Sequence, residues 1–482
     1  MPALIVATAT LAAGLPARAD PAPNLQWSPK LPPATEQPSP GGPPASLARE
    51  PEPTGTLPTR NIAVPIIETG LFNLGTWAVD RYALNADYAR VTPDTIAANF
   101  QGGWSFDTDD FQTNEVLHPY MGSVYHTAAR SAGWSFWEAL ALDFGGSLAW
   151  KVAGENTAPS INDQITTTIG GAVLGEVLFR IYRLLTAGPE GRSLPRRFTA
   201  AVLSPATAVN DALLDGRIVR PVPVEQRFQG RLSFGASTLA ADTRTGAIKP
   251  VPGAFFGFRV SHGVPGEMEL TEPFDHFDVE LDFSSATLQP WQQLHDVRGP
   301  TWLLTARGLL VGSQGRFGDD GGILYGLFGT LDYGGPQLLR VSAAGVGPGL
   351  ALAARPVSSV ALDATFLAAA TFGSGGAYVP PVVDRDYRFG FGTLLLAEGR
   401  AWLAGRLELA VTGRGYLIPA AVGGGAERLF IGKASARLRV LGPHAVGVET
   451  TLTRRWAAYP DSVYSERSSL TAFTYSYLFG GP

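Results

Sequence analysis

The sequence predicts an antiparallel, all-β transmembrane barrel of about twelve strands, preceded by an α-helical module. Three observations carry that reading. Charged residues make up 16% of the chain and hydrophobic residues 45%, whereas soluble domains carry roughly 25% charged residues. Beyond the first twenty residues, no apolar run that could be helical reaches the ~18 residues a helical span needs. The uncharged stretch Ala364 to Val383, for example, is broken by Gly373, Gly375, Gly376, Pro380 and Pro381, which no single helix tolerates. From Phe228 onward the hydrophobic period is two, the period of a strand.

At the start, Leu4 to Leu15 is a short apolar core followed by Ala17-Arg18-Ala19, the small-x-small pattern of a secretory signal, which assigns residues 1–19 to a signal peptide. Pro21 to Pro58 holds twelve prolines and almost no aliphatic periodicity. Residues 20–60 therefore read as an extended linker, available to a periplasmic or cell-wall partner.

Residues 61–221 have helical periodicity. Thr92 with Pro93 opens a short helix that Gly102-Gly103 ends, and Pro119 to Ala132 reads as another, stopped by Gly133. Two longer helices open with capping boxes, Ser135 with Glu138 and Ser160 with Asp163, in which a hydroxyl takes a backbone N–H and an acid three residues on reaches back. Small residues recur every four positions on both, as Ala141, Gly145, Ala149 and Ala153 and as Thr167, Gly171 and Gly175. That spacing lets backbones approach and predicts an antiparallel hairpin with the two stripes face to face. Glu176 and Arg180 form an i,i+4 pair. Only twelve uncharged residues separate Asp163 from Glu176, so this helix is expected to be shielded by protein, in the barrel lumen or across its mouth.

Residues 222–482 read as the barrel. Phe277, Val279, Leu281 and Phe283 alternate with Asp278, Glu280 and Asp282, placing one set in lipid and the other in a polar interior. The run Ala401 to Thr412 and the run Phe430 to Val440 repeat the pattern, and Arg307, Arg388, Arg406, Glu408 and Arg414 are expected to line the lumen. Gly315 to Gly322 is a turn, and Gly345-x-Gly347-x-Gly349 reads as turn glycines rather than a nucleotide loop, because Pro348 interrupts it and no helix follows. Phe473, Tyr475, Tyr477 and Phe479 alternate to the end of the chain, like the terminal strand read by the barrel-assembly machinery.

Between Trp104 and Arg183 stand Asp107-x-Asp109-x-Phe111, Asn114, HPYMGSVYHTAARSAGWSFWEA, and FGGSLAW followed by GENTAPSINDQITTTIGGAVLGE. This succession resembles an uncharacterised family of bacterial outer-membrane proteins, a domain-of-unknown-function class with the motifs HPYxGSxY, ARxxGxxFWE, GExxxPSxND and GGxxxGE in this order. Lys151 departs from the acid that class shows after the tryptophan. The resemblance implies an outer-membrane location and an N-terminal helical module, and it implies no activity.

The absence of cysteine excludes disulfides, thiolate metal sites and a cysteine nucleophile. Six histidines leave little room for a histidine-rich metal centre, so neither metal nor cofactor is expected. Basic residues are dispersed in a chain of net charge −5, which argues against a nucleic-acid partner. Expected partners are outer-membrane lipid and lipopolysaccharide. The candidates for chemistry are His118 and His126 with Asp107, Asp109 and Arg130, a histidine–carboxylate cluster suited to general-base work. Ser135, Glu138, Gly145, Glu155, Ser160, Asn162, Asp163, Gly171, Gly175, Glu176 and Arg180 read as the structural motif. The leading reading is a non-enzymatic outer-membrane barrel with a plug-like helical module and a role in transport, scaffolding or envelope integrity. The alternative is a lipid-modifying enzyme, a lipid A acylase or deacylase, using the histidine–carboxylate cluster.

Overall fold

The computed structural model describes residues 60–107, 109–187, 191, 193–214, 228–243, 246–286, 300–318, 320–335, 340–376 and 387–480. The expected signal peptide and residues 20–59 of the linker lie outside the described residues, as does the expected module boundary at 221/222.

Twelve strands close a barrel: β1 Phe228–Thr243, β2 Gly246–His262, β3 Phe277–Ser284, β4 Thr301–Phe317, β5 Gly321–Gly335, β6 Arg340–Val357, β7 Val360–Gly376, β8 Arg388–Leu403, β9 Leu407–Pro419, β10 Ala426–Leu441, β11 His444–Tyr459 and β12 Ser462–Gly480. Each pairs antiparallel with its sequence neighbours, and β1 closes on β12 with Leu232 opposite Tyr477 and Thr238 opposite Thr471. Closure satisfies the edge groups that an open sheet would leave unpaired.

Two sequence expectations are corrected here. The run Ala401 to Thr412 is a hairpin, with Ala404 and Gly405 at φ 50° and 62° turning the chain between β8 and β9. The two-residue alternation passes through this tight turn in phase, so only Gly405 marks it. Arg406 therefore sits exposed in the turn and does not line the lumen. Gly345, Gly347 and Gly349 lie within β6. A Cβ on Gly347 would come 2.0 Å from the Ala368 carbonyl oxygen of β7, so the glycine permits close strand approach and makes no turn.

Cross-barrel contacts identify the inward face. Lys433 on β10 reaches Glu280 at 2.9 Å and Asp282 at 2.5 Å on β3, Arg307 on β4 reaches Glu398 on β8 at 2.8 Å, and Tyr416 on β9 donates to Asp332 on β5 at 2.7 Å. Beside this charged belt lies an apolar layer of Leu324, Phe328, Leu367, Leu394, Leu396, Ile418 and Leu429. Met268, in the connection between β2 and β3, joins it and is tied to β4 through its carbonyl and the Gln314 side-chain amide. Phe391, Leu395, Val411, Phe430 and Phe473 point the other way and are exposed.

The helices precede the barrel in sequence: α1 Ala63–Ala78, α2 Pro93–Gln101, α3 His118–Ser131, α4 Phe136–Ala153, α5 Ile161–Ile165, α6 Gly171–Thr186, α7 Leu194–Leu203 and α8 Pro205–Leu213. Single π-helical turns extend α1 (Val79–Ala83), lead into α3 (Thr113–Leu117) and join α5 to α6 (Thr166–Gly170). Among the described residues, no helix is long and apolar enough to cross a membrane by itself.

The module does not enter the lumen. Val173, Val177 and Ile181 of α6, with Phe136, pack against Val260, Phe277, Val279, Ala306, Leu331 and Ala344. Val279 lies between Asp278 and Glu280, which point inward, so it faces outward, and Leu331 stands in the same way beside Asp332. A second contact places Phe111 against Tyr333, Phe372, Tyr387 and Phe389 on the same outer wall. The expected position in the lumen or at the mouth is therefore corrected. The barrel's own side chains fill its interior, while the aliphatic stripe of α6 matches the aliphatic outer face of β2 to β6.

Candidate functional site: two buried histidine–carboxylate networks

Close packing of α3 on α6 creates the site. A Cβ on Gly122 would fall 1.9 Å from the Thr167 carbonyl oxygen, one on Gly171 would fall 2.5 Å from the Gly122 Cα, and one on Gly175 would fall 2.6 Å from the His126 Cβ. The small-residue stripe of α6 thus faces α3 rather than α4. The opposing stripe of the expected hairpin, Ala141, Gly145, Ala149 and Ala153, is exposed. Its alternative face carries Asp143, Gly146, Ser147 and Trp150, which are buried. A buried charge requires a partner, and that requirement selects this face.

The first network surrounds His126, whose side chain is fully enclosed. Its Nδ1 meets Asp143 Oδ2 at 2.8 Å and its Nε2 meets Glu176 Oε2 at 3.2 Å. An imidazolium between two ionised carboxylates satisfies this geometry, because both ring nitrogens then donate. Arg130 Nε donates to Glu176 Oε2 at 2.7 Å, and Arg180 Nε donates to Glu176 Oε1 at 2.9 Å. The two arginines continue to the β2–β3 connection, Arg130 to Glu272 at 2.8 Å and Arg180 to Asp275 at 3.0 Å. The Glu176–Arg180 pair is therefore present as one link in a network that fixes the helices to the barrel.

The second network centres on Asp163. His118 Nε2 lies 3.1 Å and Lys151 Nζ 2.5 Å from its Oδ2, and Lys151 also contacts both oxygens of Glu155 at 2.9 and 3.0 Å. Asn162 Nδ2 donates to Asp163 Oδ1 and to Asp107 Oδ1, both at 3.0 Å. Asp107 Oδ1 also accepts from Asn114 Nδ2 at 2.8 Å, and Asn114 contacts Tyr387 beside β8 at 2.6 Å. Asp109 stands at the rim, where its carbonyl accepts from Tyr387 at 3.0 Å. Partial burial and the neighbouring Asp107 and Asp163 carboxylates push its carboxyl up to about 6.

The candidate residues thus divide into two sites rather than one cluster. Asp107 joins the His118 network through Asn162, Arg130 joins the His126 network, and the two histidines are two helical turns apart on α3. Ser135 and Glu138 form the expected reciprocal capping box. Ser160 caps its helix by accepting from the Asp163 N–H at 3.2 Å, but the Asp163 side chain turns inward to His118 and Lys151, so no reciprocal box forms. Lys151, the departure from the family pattern, supplies the cation between two acids. Sequence reasoning missed Asp143, Glu272, Asp275 and Glu115. Asp143 is a lone acid in an apolar stretch, which is a usable signal. Nothing near Glu272 or Asp275 links them to helices about a hundred residues earlier. Glu115, fully buried, contacts Ser374 on the outer wall of β7. Among the described residues, no three histidine, aspartate or glutamate side chains gather as a metal centre would require.

Fold and site define a closed twelve-stranded barrel carrying a polar-cored helical bundle on its outer wall. Residues 103–206, which hold both networks except Tyr387 and the acids of the β2–β3 connection, match a domain of unknown function, DUF3943, so the chain carries that domain. No curated protein is significantly similar to the chain. Among solved structures, the Pseudomonas putida toluene transporter TodX is 8% identical, with 53% of this chain and 89% of that one covered and a TM-score of 0.23. The KdgM porin is 8% identical, covers 51% and 98%, and scores 0.22. The outer membrane channel DcaP of Acinetobacter baumannii is 8% identical, covers 53% and 97%, and scores 0.23. The closed barrel is defined by its strand pairing.

Proposed function

We propose that this protein is an integral outer-membrane β-barrel whose lumen is packed and does not conduct, and that it serves the envelope as a scaffold presenting the helical module at its wall. The observation that carries the reading is the set of inward ion pairs joining strands on opposite sides of the barrel, beside an apolar layer. Buried charges of this kind are stable only when paired, and each pair that crosses the interior closes a route through it. The recess lined by Arg231, Arg259, Arg400, Trp402, Glu408 and Arg439 measures about 40 Å³. The rim that holds the start of β1, the end of β12 and the short β4–β5, β6–β7, β8–β9 and β10–β11 turns would face the periplasm, as in barrels of this type. Planar-bilayer recording of the folded protein tests the proposal. No stepwise conductance is expected, and a steady open-pore conductance would overturn it.

One observation favours a second reading, chemistry on a lipid. The His118–Asp163 pair lies at the rim marked by Asp107, Asp109 and Tyr387, where a headgroup would be in reach. Replacing His118 and His126 with alanine and comparing lipid A by mass spectrometry tests it. A changed acylation pattern would support this reading, and an unchanged one would remove it.

A further inference from the structure

We infer that the helical bundle is itself embedded in the bilayer beside the barrel, its outer face against lipid acyl chains. The inference rests on the outer-membrane reading above and adds a membrane-crossing helical layer to it. The bundle covers the outward face of the wall along the length of β3. At one end Arg180 meets Asp275 in the β2–β3 connection, and at the other Phe111 meets Tyr387 at the start of β8. Between these contacts runs β3, with eight residues, or about 26 Å along the strand at ~3.3 Å per residue and about 20 Å of barrel height at a tilt of ~40°. That is most of the ~25 Å apolar band of outer-membrane barrels. A bundle that covers this length of wall occupies most of the same slab as the hydrocarbon.

The helices are long enough and are turned inside out. At ~1.5 Å per residue, the 18 residues of α4 extend about 27 Å, and α5, the π turn and α6 together extend further. Ile62, Ile66, Leu71 and Leu74 of the α1 region and Trp137 and Phe144 of α4 are exposed. Within the bundle, α4 buries Asp143 and Lys151 and α6 buries Glu176. In water this arrangement would expose apolar surface while burying charge. In hydrocarbon it is the stable one, because intramembrane charges must pair inside a bundle. The uncovered outer wall is apolar as well, at Phe430 and Val411, so one lipid phase would suit both surfaces. Hydropathy does not detect these helices, because α1 and α6 have 16 residues each and the 18 of α4 include Glu138, Asp143 and Lys151.

The chain has no cysteine, so single introduced cysteines carry a nitroxide at one defined place. The full-length variants I66C, F144C, F430C and D87C, labelled and folded into phosphatidylcholine–phosphatidylglycerol vesicles, would be compared for collision with lipid-soluble oxygen and with a water-soluble nickel chelate. Ile66 and Phe144 are surface positions, so folding should be retained. The inference predicts that labels at 66 and 144 match the label at 430, with oxygen collisions in several-fold excess, while the label at 87 favours the chelate. Labels at 66 and 144 favouring the chelate, with 430 still favouring oxygen, would overturn the inference and leave the barrel in the membrane. Labels at 66 and 144 shielded from both reagents would assign the face to a protein partner or a second copy and also overturn it. A label at 430 favouring the chelate would overturn the outer-membrane reading itself.

Discussion

Glu176 holds the His126 network together, and replacing it with glutamine should loosen α3 from α6 before the barrel itself unfolds. Its two oxygens accept from His126 Nε2, from Arg130 Nε and Nη2, and from Arg180 Nε, at 2.7 to 3.2 Å, with no solvent exposure. Glutamine preserves the shape but removes the charge and turns an NH2 group toward donors. Breaking one side of a buried pair costs about 3–5 kcal/mol. Arg130 retains Glu272 and Arg180 retains Asp275, so the lower end, about 3 kcal/mol, is expected. Hydrogen exchange in detergent micelles reads this as local opening. At ~1.4 kcal/mol per decade, amides of α3 and α6 should exchange roughly a hundredfold faster, while those of β8 to β12 remain unchanged. A double variant, R130M/E176M, replaces two of the partners with apolar groups of similar size and should exchange more slowly than the sum of the single variants implies. Exchange in E176Q equal to the parent would refute the claim that this network holds α3 to α6.

Gly122→Ala should destabilise the same helices by about 1–3 kcal/mol through overpacking, because its Cβ would fall 1.9 Å from the Thr167 carbonyl oxygen; exchange of α3 and α6 amides checks it, and parent-like exchange would count against the close approach. Asp109 gives a pH dependence whose sign follows from its carboxyl, which rises from 3.8 to about 6 on folding. The folded state then holds the proton more tightly, so the contribution is fully present below 3.8 and is lost as pH rises through 6. The local stability of the Asp107–Asn114 loop relative to D109N should fall over that window, as followed by limited proteolysis, and parallel profiles for the two would contradict the shift. Val279→Lys should impair docking of α6, because it places an ammonium beneath Val173 and Val177 on the covered wall. Protease cleavage between α6 and β1 should increase while the heat-modifiable barrel band on gels persists, and equal cleavage would place the bundle elsewhere.

The barrel was legible in the sequence because alternation is local. Asp278, Glu280 and Asp282 face the lumen as their spacing requires, and the twelve strands follow from repeats of that pattern. The position of the helices was not legible, for two reasons. Phe277 and Val279 read as lipid-facing whether lipid or a helix covers them, since both are apolar partners. Asp275 and Glu272, which fix the module outside, lie about a hundred residues from Arg180 and carry no mark of that pairing. At the site, the caps at Ser135 and Ser160 could be read from spacing alone. Which face of α4 turns inward could not be settled by small residues, because close approach and lipid exposure both accept glycine and alanine. The buried charge of Asp143 was the informative residue, since a lone acid needs a partner wherever it is enclosed.

The central claim is that α6 lies on the outside of the barrel wall, and a pair of introduced cysteines tests it most directly. A Cβ at Gly329, on the outer face of β5, would stand 3.2 Å from Val173 Cγ2, whereas the neighbouring Thr330 points into the lumen. In this cysteine-free chain, mild oxidation of V173C/G329C should form a disulfide that shifts the protein on a non-reducing gel, and V173C/T330C should form none. A disulfide in the second variant and not in the first would put the helix inside the barrel and contradict the account.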